Sequence, residues 1–344
     1  MRLGVQLGYW GLLMDRDQQL AATLLAEELG YDSVWTAEAY GSDAATILAW
    51  LAAQTSRIRL GAAVLQIPGR SAAMTAMTAA TIDNLSDGRM ILGLGTSGPQ
   101  VSEGWHGVRF ARQLARTRDY VEVVRLALAR ERVSYSGETL TLPLPDGPGK
   151  ALKLIITPVQ ERIPIYLAAL GPKNTQLAGE IADGWIPTFM SPEHMGEFRS
   201  LIAQGAARVG RDPAAVEIAP SVQVHISDDV ATARDHMRPG LALYIGGMGS
   251  RQQNFYKTLA ESYGFADAAA TVQDLYLEGR REEAARALPA ELIDLVSLCG
   301  PPSAVAERLE AFRAAGVGTL LATPVALGAE AQAAQLRALA ELAL

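Results

Sequence analysis

The sequence predicts an α/β fold, a (β/α)8 TIM barrel with insertions at its C-terminal face, and three observations carry that reading. Strand-like and helix-like patterns alternate eight times along 344 residues, and parallel strands need such helical crossovers. No internal repeat or low-complexity linker marks a boundary, so residues 1–344 read as one domain. The third is Asp87–Gln100, where an Asp-Gly turn launches the apolar run Met90–Leu94 and opens into Gly95, Thr96, Ser97, Gly98 and Pro99. Gly93, Gly95 and Gly98 spell G-x-G-x-x-G, but a dinucleotide fingerprint needs a helix beginning inside the glycines. Pro99 and the aromatic stretch Ser102–Val108 read as irregular rather than helical, so a barrel strand exit presenting Thr96, Ser97 and backbone amides fits better. A glycine-rich exit with no ligand is the plainer alternative.

The remaining elements follow in order. Leu3–Leu7 is a strand leaving through Gly8-Tyr9-Trp10-Gly11, and Gln18–Leu29 has helical periodicity that stops at Gly30, a C-terminal cap. Asp32–Thr36 is the second strand, Ala37–Asp43 its exit and Ala44–Gln54 a helix. Ile58–Leu65 is the third strand, followed by Gln66–Arg70 and a helix over Ala72–Leu85, with Met74, Met77 and Met90 read as core filling. After the fourth strand comes a helix over Arg116–Arg130. Residues 133–162 are rich in Gly and Pro between short β-like pieces and read as an inserted hairpin excursion. Ile163–Ala169, Asp183–Pro187, Val216–Ile226 and Gly318–Thr323 are the last four strands. Residues 228–298 form a long helical insertion that caps the pocket.

Composition narrows the function. A net charge of -7 disfavours nucleic acid and anionic lipid as partners. No apolar run is long enough to span a bilayer, and the N-terminus enters a strand without a signal peptide, so a cytoplasmic, non-membrane protein is expected. One cysteine, Cys299, excludes a disulfide framework. The four histidines show no H-x-x-x-H or H-E-x-x-H spacing, so no metal is expected. There is no G-x-S-x-G nucleophile elbow. Glu38 and Glu103 could pair as glycosidase carboxylates, but nothing near them resembles sugar recognition.

In a barrel, chemistry sits at the C-terminal strand ends. After the fifth strand, Gly171-Pro172-Lys173-Asn174 opens a helix whose free amides, with Lys173, suit a phosphate; an ordinary strand-to-helix turn explains the same residues.

Five stretches together resemble a known family: Gly30–Tyr40, Arg57–Val64, Leu85–Gly95, Ala168–Lys173 and Ile181–Trp185. They are similar to the luciferase-like oxidoreductases, in particular the class dependent on coenzyme F420. The resemblance covers the first five to six strand-helix units; the last third matches only in pattern. It implies a deazaflavin held at the barrel mouth, a non-prolyl cis peptide at Ala63-Val64 behind the ring, and ring-edge hydrogen bonds from Glu38 and from the backbone near Thr96, Ser97 and Gly98. It also implies a phosphate-bearing tail running past Ala168, Ala169 and Leu170 towards Gly171 and Lys173, flanked by Trp185, Ile186 and Pro187.

One departure bears on mechanism. Relatives that oxidise alcohols or sugar phosphates carry Asp-His where this chain has Glu38-Ala39, and that histidine is their general base. Ala39 cannot take a proton, so hydride transfer from reduced F420 to a C=C or C=N bond of a small molecule or natural-product intermediate is the expected reaction. Glu38, Tyr40, Glu103 and His106 are candidate proton donors, with Tyr9 a further one; His106 either acts as acid or packs its loop. Tyr9, Trp10, Tyr40, Trp105 and Phe189 are candidate walls of an apolar substrate pocket. An FMN-dependent monooxygenase and a cofactor-binding barrel without turnover are the alternatives. The family's habit implies a homodimer.

Overall fold

The computed structural model describes residues 1–11 and 14–343. The strands are β1 Arg2–Gly8, β2 Ser33–Thr36, β3 Arg59–Ala62, β4 Leu65–Gln66, β5 Met90–Gly95, β6 Tyr135–Ser136, β7 Thr141–Leu142, β8 Ile165–Leu167, β9 Gly184–Trp185, β10 Glu217–Ile218, β11 Ser221–Ile226, β12 Ser297–Gly300 and β13 Thr319–Pro324. The helices are α1 Arg16–Glu28, α2 Ala44–Ala52, α3 Ala72–Leu85, α4 Pro99–Gly104, α5 Gln113–Leu128, α6 Pro172–Ile181 and α7 Met195–Arg208. They continue as α8 Val230–Ala242, α9 Phe255–Ser262, α10 Ala266–Leu277, α11 Arg281–Arg286, α12 Ala290–Val296, α13 Pro302–Ala314 and α14 Ala329–Ala343.

Eleven strands form one curled, all-parallel sheet in the order β10-β9-β8-β5-β3-β2-β1-β13-β11-β12, with β4 paired to β5. Only Ala219 and Pro220 separate β10, at one end of that order, from β11, near the other. Across this join Ala219 N donates to Trp185 O at 2.9 Å, Ser221 N to Pro187 O at 2.8 Å and Leu321 N to Pro220 O at 2.9 Å. β6 and β7 pair antiparallel apart from the main sheet.

The core has two parts. A large apolar layer lies between strands and helices, and a smaller cluster of Trp35, Ile91, Tyr166, Ile186, Ala219 and Leu321 lies inside the curl. Trp35 fits there because Gly61 on the neighbouring strand has no side chain: a Cβ would fall 2.2 Å from the indole. At the N-terminal strand ends Glu217 gathers Arg2 at 2.6 Å and the Tyr166 hydroxyl at 2.7 Å, beside a cavity of about 460 Å³.

Four expectations need correction. Residues 99–104 are helical, because Pro99 suits a first helical turn and both Trp105 N and His106 N close onto Val101 O. The third strand is interrupted: β3 stops at Ala62, the Ala63-Val64 peptide is cis, and pairing resumes at Leu65. Ser297–Gly300 pairs parallel with β11, so the helical excursion ends at Val296; its apolar residues read as one more helical turn because periodicity cannot separate short buried strands from helices. Met74 and Met77 are half exposed on the outer face of α3, whereas Met90 is buried.

Candidate active site

The C-terminal strand ends bring together Tyr9, Glu38, Ala63-Val64, Thr96–Gly98, Ala168–Gly171 and the segment from Trp185 to Phe189. Two cavities of about 460 and 500 Å³ lie elsewhere, at the opposite strand ends and outside the sheet beside Arg70 and Tyr120. The strand ends remain the site because the unpaired donors and acceptors described below converge there.

Glu38 is the most constrained of the residues singled out from sequence. Its carboxylate receives both arms of Arg70, at 2.7 and 2.8 Å, and the amides of Ala44 and Gln66, each at 3.2 Å. Arg70 also pairs with Asp43. Both oxygens of this buried carboxylate are thus engaged, by a bidentate guanidinium and two amides, so Glu38 ties the β2 exit to the loop after β4. Sequence reasoning missed Arg70; the signal was a lone cation at the end of the β4 exit loop, Gln66–Arg70. It also missed Gln66, whose Nε2 donates to Ala39 O at 2.7 Å while its Oε1 is buried without a partner.

The cis peptide lies against β5 because Gly95 is opposite: a Cβ there would meet Val64 Cγ2 at 2.6 Å. Beyond Gly95, Ser97 takes a positive φ of 59° and Gly98 is the N-cap of α4. Among the described residues, the amides of Thr96, Ser97 and Gly98 have no backbone acceptor. His106 Nε2 is buried and unpartnered, with its ring packed against Gly69. Glu103 accepts from Phe110 N at 3.0 Å, facing solvent rather than the strand ends.

After β8, Ala168 is exposed, and Gly171 caps α6 without any side-chain cap. A Cβ on Gly171 would meet nothing within 4 Å, so the start of α6 is open, with Lys173 exposed beside it. Such an end carries partial positive charge and suits an anionic group.

The remaining sequence-predicted positions differ in burial and packing. Trp185 is fully buried: its indole stacks on Phe198 at 5.4 Å, and its N–H donates to Ala169 O at 2.8 Å, bracing the β8 exit from behind. Ile186 belongs to the inner core, and Pro187 is buried behind the strand end. Trp10 packs edge-on against Trp50 of α2 at 5.3 Å, and Trp105 is 67% exposed. Tyr40 is equally exposed. Phe189 is buried in an aromatic cluster. No group of three or more metal-ligating side chains occurs among the described residues.

A family model described as luciferase-like monooxygenase matches residues 3–319. The chain belongs to that family. Within it, the chain is 45% identical over 331 residues to a Mycobacterium tuberculosis protein provisionally assigned as a coenzyme F420-dependent oxidoreductase, covering 94% of this chain and 95% of the relative. It is 30% identical over 301 residues to the 5,10-methylenetetrahydromethanopterin reductase of Methanolobus tindarius, covering 87% of each. The coenzyme F420-dependent tetrahydromethanopterin reductase of Methanopyrus kandleri superposes with a TM-score of 0.83 at 23% identity, over 98% of this chain and 97% of that one, a likeness of fold.

Proposed function

We propose that this protein is a coenzyme F420-dependent oxidoreductase of the luciferase-like family, working as a reductase on a C=C or C=N bond of a small molecule. The 45% identical relative supports the coenzyme. The observation that carries the direction is the β2 exit: Ala39 stands where alcohol-oxidising relatives keep a base, and the adjacent Glu38 carboxylate is occupied by Arg70. The enclosing fold is the (β/α)8 barrel, supported by the hydrogen bonds across Ala219–Pro220 that link the two sides of the sheet. The helical excursion caps its mouth, supported by the ring contacts of Tyr244 and Tyr256 with Phe189 at the β9 exit.

The residues present fit a deazaflavin with a phosphate-bearing tail. Thr96–Gly98 offer free amides and Gln66 an orphaned acceptor to the polar edge of a ring, and the open start of α6 with Lys173 suits the phosphate. Reduced coenzyme F420 supplies hydride when bound. The chain's own work is to hold the acceptor close to that ring, exclude water, and bring a proton donor near it. Tyr9, Tyr40 and His106 remain the proton-donor candidates, Glu38 and Glu103 being committed to Arg70 and Phe110 N. Titration with coenzyme F420 and, separately, with FMN tests the coenzyme: saturation by F420 alone supports the reading, and tight FMN binding with oxygen consumption replaces it with a monooxygenase.

A homodimer through the α2–α3 face belongs to the same proposal. Its support is an uncharged outer surface on which Met74, Met77 and Leu85 are each at least half exposed, with Ile155 and Val159 beside it. Met77→Glu should shift the sedimenting species to monomer; an unchanged species argues against this face. The proposed compartment is cytoplasmic, supported by one cysteine in 344 residues.

A further inference from the structure

Phe189 has a backbone conformation that bulky residues rarely adopt, with φ of 59°. Its carbonyl accepts from the Tyr263 hydroxyl at 3.1 Å, which holds that conformation in place. Its ring centroid lies 5.3 Å from Tyr244 and 5.5 Å from Tyr256, and those two meet edge-on at 4.8 Å. Such aromatic groups usually just fill a core. Here the backbone is also fitted to present them. Tyr244 rides on a π-helical turn, Leu243–Gly247, directly after α8 and its internal Pro239. Gly246 and Gly247 let that turn press onto Tyr276, where a Cβ would fall 2.4 or 2.5 Å from the side chain. Buried Asn254 ties both tyrosines: its Nδ2 donates to Tyr244 O at 3.1 Å and Ile245 O at 2.8 Å, and its Oδ1 accepts from Tyr256 N at 2.9 Å.

The hydroxyls are uncommitted. Among the described residues, Tyr9, Tyr244 and Tyr256 make hydrogen bonds through backbone atoms only. Burial, with smaller effects of the Tyr244 and Tyr40 phenols, pushes the Tyr9 phenol up to about 12, so it stays a neutral O–H donor. Burial also raises Tyr244 and Tyr256. No charged residue occurs in 6–11, 186–192 or 243–250, and charges that flank these stretches in sequence are engaged: Glu193 with Arg308, Arg251 with Asp274, and Lys257 with Gln273 at 3.0 Å. An anionic substrate would lose its hydration here without gaining a counter-charge.

We propose that Phe189, Tyr244 and Tyr256, with the Tyr9 hydroxyl, form the specificity site for an uncharged, flat, conjugated carbonyl compound. The rings take its planar faces, and the phenols donate hydrogen bonds to its carbonyl oxygen. This rests on the reductase reading, since conjugation is what makes the compound a hydride acceptor.

Calorimetric binding to the full-length protein, with and without oxidised coenzyme F420, tests it using 4-phenyl-3-buten-2-one and the matched carboxylate trans-cinnamate. The neutral enone should bind at least about tenfold more tightly than cinnamate, a difference near 1.4 kcal/mol. Tyr244→Ala and Phe189→Leu should weaken the enone several-fold while leaving coenzyme affinity unchanged, and Tyr244→Phe should weaken it less than Tyr244→Ala. Equal or tighter binding of cinnamate, no binding of either compound, or variants that bind the enone as the parent does would each overturn the proposal. Failure of the protein to bind coenzyme F420, measured in the same titrations, would instead sink the reductase reading and leave the enone result standing as a statement about the pocket.

Discussion

Arg70 grips both oxygens of Glu38, at 2.7 and 2.8 Å, and so joins the exit of β2 to the loop that follows β4. Side-chain exposure of 17% and 6% makes this a largely desolvated pair, where removing one partner costs more than the pair contributes. Arg70→Ala should lower unfolding stability by about 3 kcal/mol in urea denaturation, and Arg70→Ala with Glu38→Gln should recover part of that loss. A loss under half a kcal/mol for Arg70→Ala would show the pair to be solvated.

The cis segment and β5 are in equally close register. Gly95→Ala places a methyl 2.6 Å from Val64 Cγ2, an overpacking worth about 1–3 kcal/mol. Val64→Ala should restore both stability and coenzyme affinity in the double variant. Additive losses in thermal unfolding would mean that the two positions do not meet.

At the start of α6, Lys173→Ala should weaken coenzyme F420 by about two- to fivefold, and more at low salt than at high. The phosphate-free deazaflavin nucleoside should be unaffected. Equal weakening of both ligands in fluorescence titration would remove Lys173 from the phosphate site.

How much of this was legible beforehand depended on the reach of each signal. The strand exits could be read because glycine, proline and apolar periodicity act locally, and the family-like stretches put the cis peptide at Ala63-Val64, where it occurs. Side-chain direction could not be read. Trp185 and Trp10 sit at strand exits in the sequence, yet one faces α7 and the other α2. The partner of Glu38 is hidden in the sequence because Arg70 lies 32 residues away and becomes a neighbour only when the sheet curls. The half-exposed methionines of α3 resemble core residues in the sequence because an apolar residue on a small-residue helix carries the same pattern whether a core or a second chain covers it.

Acid should expose the bracing behind Phe189. Burial alone would raise the Glu193 carboxyl, but hydrogen bonds from Arg308 and Ser191 overcome it and bring it from 4.5 to about 2. A depressed carboxylate stabilises the fold above its unfolded value, and that contribution fades as pH falls from about 4.5 towards 2. The group is half exposed, so salt should reduce the effect. Glu193→Gln should flatten the dependence of the urea midpoint on pH in that window. A slope matching the parent's would assign the acid sensitivity to other carboxylates.

Anaerobic mixing of the protein with reduced coenzyme F420 and a panel of unsaturated acceptors tests the central claim most directly, followed by the return of the coenzyme's visible absorbance. The account predicts reoxidation that needs both protein and a neutral conjugated acceptor, with no oxygen present. Coenzyme that stays reduced with every acceptor, in a protein that turns over alcohols with oxidised coenzyme or consumes oxygen with reduced FMN, would contradict it.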